Sequence, residues 1–512
     1  MNDLLSFRRQ FLMANELIEE LRNWQYHKIG DSHLYAHPDL EVTRETRSSV
    51  DILLLGFIFD PAHPTKTNAE IISDVISMVK NFNDFIAIIK KYAGRYALIY
   101  RDRSNFTIMH DMVALREIYY CTHTNRIICG SQPNLINAFS LPKLGVTQDK
   151  NILHFYEHDM KTVRSGRLWV GDETYYHHVK HLMPNYYLDI QSLTAKRYWP
   201  NRNLDRIDLN TAIKLSCEYL TGIMQAVTSR YNVMMAVTAG IDSRSLLAAS
   251  REVKDQIYYF INKKPPLSDK SADIRIPKRI FSKINLPFHI HDATGPVDEE
   301  FKNVFLNNVF MSTDLLLPAI YNVYYKNHQN KLNLLGVGEI GRGMFGMAKP
   351  GLTGYELAHK LKYKHSMYAI SQCENWLKQI KEAADAYNID IMSHFIWWSL
   401  SGNWAAVGNS ESDIAIEEFN PYDSHHLTEI ILSVDWADRA IPNNRGIPSF
   451  YEGMFREMWP ELLDFPFNPP DTIEGKIKYW LEQVGILQPL KRLRFKFDYW
   501  RFRNLANKVY DP

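Results

Sequence analysis

Cysteine is scarce in this chain, and its four copies show no pattern. Cys121, Cys129, Cys217 and Cys373 make no CxxC and no paired spacing, which argues against a disulfide framework or a structural zinc site and for a reduced chain. Neither sign of charge is in surplus: 59 basic residues meet 58 acidic ones, a formal net charge of +1. No global field therefore draws the protein toward nucleic acid or a membrane, and nucleic acid is not expected as a partner. Nor does any apolar run reach the roughly 18 residues of a membrane span. The longest runs, ILLLGFIF (52–59) and FIWWSLSGNWAAVG (395–408), read as a buried strand and a buried helix. The opening MNDLLSFRRQFLMANELIEEL carries charges throughout and lacks a signal-peptide apolar region, so a cytoplasmic protein is expected. Internal repeats and low-complexity segments are absent too.

What remains is ordinary globular composition, 46% hydrophobic and 23% charged, on a chain of 512 residues, long enough for two or more cores. Residues 1–200 read as mostly β. VDILLLGFIFD, GRYALIYRDR, FTIMHD, EIYYCTHT and RIICGS are short β-rich runs, interrupted by one helical stretch over 67–91. Residues 178–200 read as a hairpin followed by a departing linker. From about 205, helix and strand alternate: helix 209–229, strand YNVMMAV, helix SRSLLAASREV, strand DQIYYFIN, helix 270–284, strand PFHIHDA, and a further strand at KLNLLGVGEIGRG. Such alternation predicts a parallel sheet covered by helices, with ligands at the carboxyl ends of its strands. Beyond about 355 the chain reads as helical.

The strand YNVMMAV runs into TAGIDSR. Thr238 and Ser243 offer hydroxyls, while Ala239 and Gly240 leave room for backbone N–H groups to approach an anion. The following helix adds its positive end. Asp242 would repel bare phosphate, so its presence points to a bridging Mg²⁺. There is no GxxxxGK[ST], so this is not a Walker A loop. The competing reading is that Asp242 and Ser243 merely cap a helix.

TAGIDSR resembles the SGGxDS pyrophosphate loop of the asparagine synthetase family, whose ligase domain is an adenine-nucleotide α/β fold. AGRYALIYRD (93–102), HDMVALREIYYC (110–121) and ICGSQPNLI (128–136) resemble the middle of that family's N-terminal glutaminase-type domain, and VKHLMPNYYLD (179–189) its closing hairpin. GVGEIGRGMFG (336–346) lies where the family has GxGxDExFGG. The stretch 403–432 resembles the one ending E.R.PFLD, with NPYD in place of PFLD. The likeness spans nearly the whole chain. It implies an α+β, Ntn-amidotransferase-like domain over 1–200. It implies next an α/β parallel-sheet synthetase domain over 205–512, of the HUP or adenine nucleotide α-hydrolase-like type, with a helical C-terminal part.

The activity the resemblance implies is ATP-dependent amide formation. A substrate carboxylate attacks the α-phosphate of ATP·Mg²⁺, pyrophosphate leaves, and ammonia or an amine captures the acyl-adenylate, giving amide and AMP. Thr238, Ala239, Gly240, Asp242 and Ser243 would hold the pyrophosphate end, Asp242 taking the Mg²⁺. Gly336 and Gly338 would bring the second loop to the nucleotide. Glu339 would contact a second metal or orient the amine, and it counts with Asp242 as catalytic. Trp404, Glu417, Glu418 and Asp423 would shape side-chain pockets.

The departures limit the match. Family glutaminases act through an N-terminal cysteine, and residue 2 here is Asn2. Cys121 and Cys129 read as buried packing residues in strands. The N-terminal domain thus reads as a degenerate glutaminase, with nitrogen from free ammonia, from a separate glutaminase or from the substrate's own amine. A homodimer is among the partnerships left open. In the ligase loops Thr238 and Ala239 replace the first serine and glycine of SGGxDS. A positive φ at Ala239 would cost ~1 kcal/mol. Arg445, Arg456, Lys476 and Lys478 are four candidates for the family's late catalytic lysine. These losses keep open a catalytically silent scaffold that binds nucleotide or a partner.

His177, His178 and His181 read as an exposed hairpin rather than a metal site, and HIHD (289–292) as packing at a strand end. The basic, aromatic tail LKRLRFKFDYWRFRNLANK (490–508) reads as a packed terminal helix in preference to a membrane-surface segment.

Overall fold

The computed structural model describes residues 2–122, 128–139, 143–163, 168–312, 314–440, 447–470, 477, 480 and 481. Among the described residues, twelve strands precede residue 200: β1 (Phe11–Ala14), β2 (Gln25–Ile29), β3 (Ser32–Ala36), β4 (Val42–Arg47), β5 (Val50–Phe59), β6 (Ala93–Arg101), β7 (Phe106–His110), β8 (Tyr119–Cys121), β9 (Ile128–Gly130), β10 (Val179–His181), β11 (Tyr186–Asp189) and β12 (Thr194–Arg197). They form two antiparallel sheets, ordered β10-β8-β9-β1-β3-β2 and β12-β11-β7-β6-β5-β4. The unbroken apolar run of β5 is explained by burial on both faces. Leu53 and Leu55 pack between the sheets with Phe11 and Leu34, whereas Ile52 and Leu54 pack under helices 68–78 and 82–89.

Those two helices replace the single one expected over 67–91. Val79 is already extended, and Asn81 caps a new start by accepting a hydrogen bond from the Asp84 N–H. The segment 178–200 also divides: β10 joins one sheet, and only β11 and β12 form the hairpin, in the other.

The second half holds β13 (Val233–Ala236), β14 (Ile257–Lys263), β15 (His289–Asp292), β16 (Leu332–Leu334) and β17 (Glu417–Phe419), all parallel, in the order β15-β14-β13-β16-β17. The chain lays down β13, β14 and β15 toward one edge, then returns to place β16 on the other side of β13. The order therefore reverses between β13 and β16, which is where open parallel sheets bind ligands. Side chains alternate across β13. Val233 and Met235 enter a core with helices 209–230, 241–249 and 449–458, and Met234 enters a second with helices 299–308 and 317–319. The architecture is thus mixed α/β, two antiparallel sheets and one parallel sheet with many helices. Among the described residues no helix is long and apolar enough to cross a membrane.

The two halves meet along a buried ionic seam. Arg95 grips Asp413 with both terminal guanidinium nitrogens, at 2.6 and 2.7 Å. Arg116 reaches Asp413 at 3.4 Å and Glu417 at 2.6 Å, and Arg9 donates to the Asp413 carbonyl at 2.5 Å.

Candidate functional site

Loops 237–240 and 335–338 leave the adjacent strands β13 and β16 side by side. In the first loop the hydroxyls build the turn. The Thr238 N–H donates to Ser243 Oγ at 3.1 Å, the two hydroxyls lie 3.0 Å apart, and the Gly240 N–H donates to Thr238 Oγ1 at 3.1 Å. Threonine in place of serine preserves that geometry. The Ala239 N–H donates to Asp273 at 2.9 Å, its carbonyl accepts from the Asn468 N–H at 3.1 Å, and its φ is not positive. The backbone strain considered for alanine at this position therefore does not arise. Helix Ile241–Ala249 follows, and the N–H groups of Ile241, Asp242 and Ser243 have no acceptor among the described residues.

The second loop is a strand end and a short helical turn, where the sequence suggested a longer strand. β16 stops at Leu334 and helix Glu339–Arg342 begins almost at once. The Leu335 N–H donates to the Phe419 carbonyl at 2.8 Å, and Asn420 bonds both the N–H and the carbonyl of Val337. Held so, the loop lies directly on the first. A Cβ on Gly336 would stand 2.7 Å from the Ser243 nitrogen, and one on Gly338 would stand 3.0 Å from Asp242 Oδ1.

Asp242 is the centre of this contact. Its Oδ2 receives Arg342 Nη2 at 2.7 Å, and Tyr422 donates to its backbone carbonyl at 3.3 Å. Burial pushes the Asp242 pKa up, while the Arg342 charge and the nearby Gly338 N–H pull it back. Oδ1 is buried and accepts no well-aligned hydrogen bond. That spare oxygen is suited to a cation. Mg²⁺ typically takes one or two carboxylates and completes its shell with water and phosphate oxygens, so a single protein carboxylate suffices. Among the described residues there is no cluster of three or more acidic, histidine or cysteine ligands.

Sequence reasoning missed Arg342, whose role depends on the helical turn that follows the glycines. It also missed Arg244. This side chain is fully buried, donates to the carbonyls of Leu462, Pro466 and Phe465, and stacks 3.6 Å over Phe467. Burial lowers its pKa to about 9. It fastens the segment 462–468 across the first loop, and Asn468 completes the strap at Ala239.

The other candidates part company. Glu339 opens the turn Glu339–Arg342, and its side chain, like Arg445, Lys476, Lys478 and the tail 490–508, lies outside the described residues. Arg456 is exposed on helix 449–458 and pairs with Glu452. Glu417 belongs to the seam, and Glu418 accepts from Asn333 at 2.8 Å. Only Trp404 of the four pocket candidates lines a cavity beside Gly338. All four cysteines are buried, Cys121 and Cys129 in β8 and β9, and burial pushes Cys129 and Cys217 up to about 12. The histidine group is exposed only in part: His177 is exposed and His178 sits in a left-handed turn, while His181 is buried, stacked on Tyr119 and bonded to Asn403. His289 and His291 stack on Tyr258, as packing at that strand end required.

Asp423 faces Asp111 across the junction of the halves. Asp111 already accepts the N–H groups of Tyr96, Leu115 and Arg116. Neither Asp423 oxygen has a well-formed donor. Burial and the Asp111 charge push the Asp423 pKa well up, against a weaker pull from the Val113 and Met112 N–H groups. A protonated Asp423 donates to Asp111, which accounts for the raised pKa and gives one of its two oxygens a partner. The folded protein holds this proton more tightly than the unfolded chain. Its contribution to stability is present below pH ~4 and lost as pH rises through the raised folded value. Glu117 and Glu418, both raised by burial to about 7, change stability in the same direction as pH rises. The informative quantity is therefore a difference: Asp423→Asn, which mimics the neutral acid, should show a shallower fall in urea midpoint between pH 5 and 8 than the parent protein. Parallel profiles would refute the shared proton.

No family model matches the sequence, and no curated protein matches it. Several solved structures are similar. An NH3-dependent NAD synthetase from Campylobacter jejuni is 15% identical over 35% of this chain and 86% of its own, with a TM-score of 0.19. An allosteric regulatory enzyme of purine biosynthesis is 11% identical over 65% of this chain and 90% of its own, TM-score 0.25. A glutamine phosphoribosylpyrophosphate amidotransferase from B. subtilis, complexed with ADP and GMP, is 11% identical over 71% of this chain and 75% of its own, TM-score 0.23. Scores this low assign no function, so the functional reading rests on the site.

Proposed function

We propose that the chain is an ATP-dependent, AMP-forming amide ligase of the asparagine synthetase type, with an N-terminal glutaminase-like domain over 1–200 that no longer supplies nitrogen and a ligase domain over 205–512. The observation that carries this reading is the meeting of two glycine loops on Asp242 at the point where the strand order reverses. Bound ATP supplies an α-phosphate for the substrate carboxylate to attack and a pyrophosphate leaving group. The N–H groups of Ile241, Asp242 and Ser243, which have no acceptor among the described residues and lie at the positive end of a nine-residue helix, would hold the departing charge. Thr238, Ala239, Gly240 and Ser243 shape that turn. Asp242 Oδ1 would hold Mg²⁺, and the Arg342 charge opposes the rise that burial causes in the Asp242 pKa and holds Oδ2 in place. Gly336 and Gly338 let the second loop close on the first, and Glu339 is placed by sequence to orient the incoming ammonia or amine.

The Arg342–Asp242 pair favours a second reading, a silent nucleotide- or partner-binding scaffold, because Asp242 already has a counter-charge. Calorimetry with Mg·ATP, followed by product analysis, separates the two. The intact protein should bind saturably, and Asp242→Ala should weaken binding at least tenfold, ~1.4 kcal/mol. Release of AMP and pyrophosphate with a carboxylate and ammonia then identifies the ligase, whereas no binding to either form removes the nucleotide altogether.

A further inference from the structure

Beside the two loops lies a cavity of about 320 Å³ that neither loop fills. Gly338, Leu335 and Tyr422 are among its lining residues, and Gly338 and Tyr422 both adjoin Asp242, so it borders the contact between the loops. Val113, from the N-terminal half, and Ile340 and Leu400 form its walls. Its outer rim carries Met344, 56% exposed, and Trp404, 46% exposed. Large apolar side chains exposed at the mouth of an apolar cavity mark a ligand site more often than a packing fault.

The polar inventory is the informative part. Among the described residues, the lining includes no aspartate, glutamate, histidine or arginine. Lys360, Lys362, Ser401, Asn409, Asn420 and Thr428 are its polar members. The Lys360 ammonium donates to the Phe345 carbonyl at 2.8 Å, the Asn409 amide to the Ala405 carbonyl at 2.9 Å, and Asn420 is spent on Val337. An amino-acid substrate would bring an ammonium group that needs a carboxylate partner once it leaves water; the described walls offer none, and the carboxylate beyond Gly338, Asp242, is already paired with Arg342. An aliphatic chain needs only the apolar walls, and each buried methylene strengthens its binding about fourfold.

We propose that this cavity holds the apolar body of the acid substrate, a monocarboxylic acid with an aliphatic chain, its carboxylate at the Gly338–Asp242 end and its chain directed toward Met344 and Trp404. The inference rests on the ligase reading and narrows it. In the step it serves, a carboxylate oxygen forms a bond to the α-phosphorus as the bond to the β-phosphate oxygen breaks. The electron pair of that bond leaves with pyrophosphate.

The test is a calorimetric titration of the intact protein with hexanoate, octanoate and L-aspartate, with and without Mg²⁺ and α,β-methylene-ATP. Octanoate should bind at least tenfold more tightly than hexanoate, and aspartate should not bind. Ala405→Trp, which fills the cavity, and Met344→Asp, which charges an exposed rim position that the fold tolerates, should each weaken octanoate at least tenfold. Equal affinity at both chain lengths, binding of aspartate alone, or octanoate binding indifferent to both substitutions would overturn the proposal. AMP formation with aspartate but not octanoate would sink it while the ligase reading stood. Octanoate binding without AMP formation in the presence of ATP and ammonia would support the cavity's ligand class and count against the ligase.

Discussion

Replacing Asp413 with alanine should cost about 3–5 kcal/mol of folding stability, the largest effect expected from any single change in the seam. Arg95 is fully buried and spends both terminal nitrogens on this one carboxylate, with Arg116 close behind. Removing Asp413 leaves three arginines with Glu417 as their nearest carboxylate, and a buried guanidinium without a paired counter-ion does not readily shed its proton to escape the cost. The alternative view is that the pair is worth little, since desolvation offsets most of its attraction. Both statements hold, because they answer different questions. Breaking the pair strands a charge, whereas exchanging both partners for apolar residues strands none. Asp413→Ala should therefore be severe and Arg95→Met/Asp413→Leu much milder in urea unfolding. If the double variant is as unstable as the single one, the seam's contribution is packing, not charge.

Gly336→Ala should abolish nucleotide binding while costing about 1–3 kcal/mol in stability. The added methyl would stand 2.7 Å from both the nitrogen and the Cα of Ser243 and 3.1 Å from the Asp242 carbonyl carbon. These are backbone atoms at the start of a helix, so no side-chain rotation relieves the contact. The second loop must lift, carrying Gly338 and Arg342 away from Asp242. Two comparisons isolate the cause. At Gly338 the nearest atom is the end of the Asp242 side chain, at 3.0 Å, which can turn aside, so Gly338→Ala should be milder. Gly408 has open space, its nearest neighbour being Leu316 at 3.8 Å, and alanine there should be neutral or stabilising. Mg·ATP titration of the three variants, alongside their unfolding midpoints, checks the ranking. Unchanged binding by Gly336→Ala would mean that the loops do not need to touch.

Much of the site was legible because its parts are local. The apolar run ending at Ala236 and the turn residues of TAGIDSR specify a strand, a tight loop and a helix start, and the structure places all three there. Asp242 and Ser243 could be singled out for the same reason. The two glycines of the second loop were visible as residues without side chains, but what they leave room for was not. Arg342 and Arg244 gave no signal, since each acts on a partner 100 or more residues away. The acids of the EEFNPYD stretch could be noticed and not assigned. Glu417 went to the seam, Glu418 to Asn333 and Asp423 to Asp111, because those elements happen to face one another.

The sequence by itself determined where strands and helices alternate, since periodicity and caps act over a few residues, and it determined which loop carries the polar chemistry. Only the tertiary structure decided that β16 returns to the far side of β13. Strand order depends on which faces find partners across the whole chain, and no local pattern encodes it. That return brings Gly336 onto Ser243, sets Arg342 against Asp242 and leaves an apolar cavity beside them.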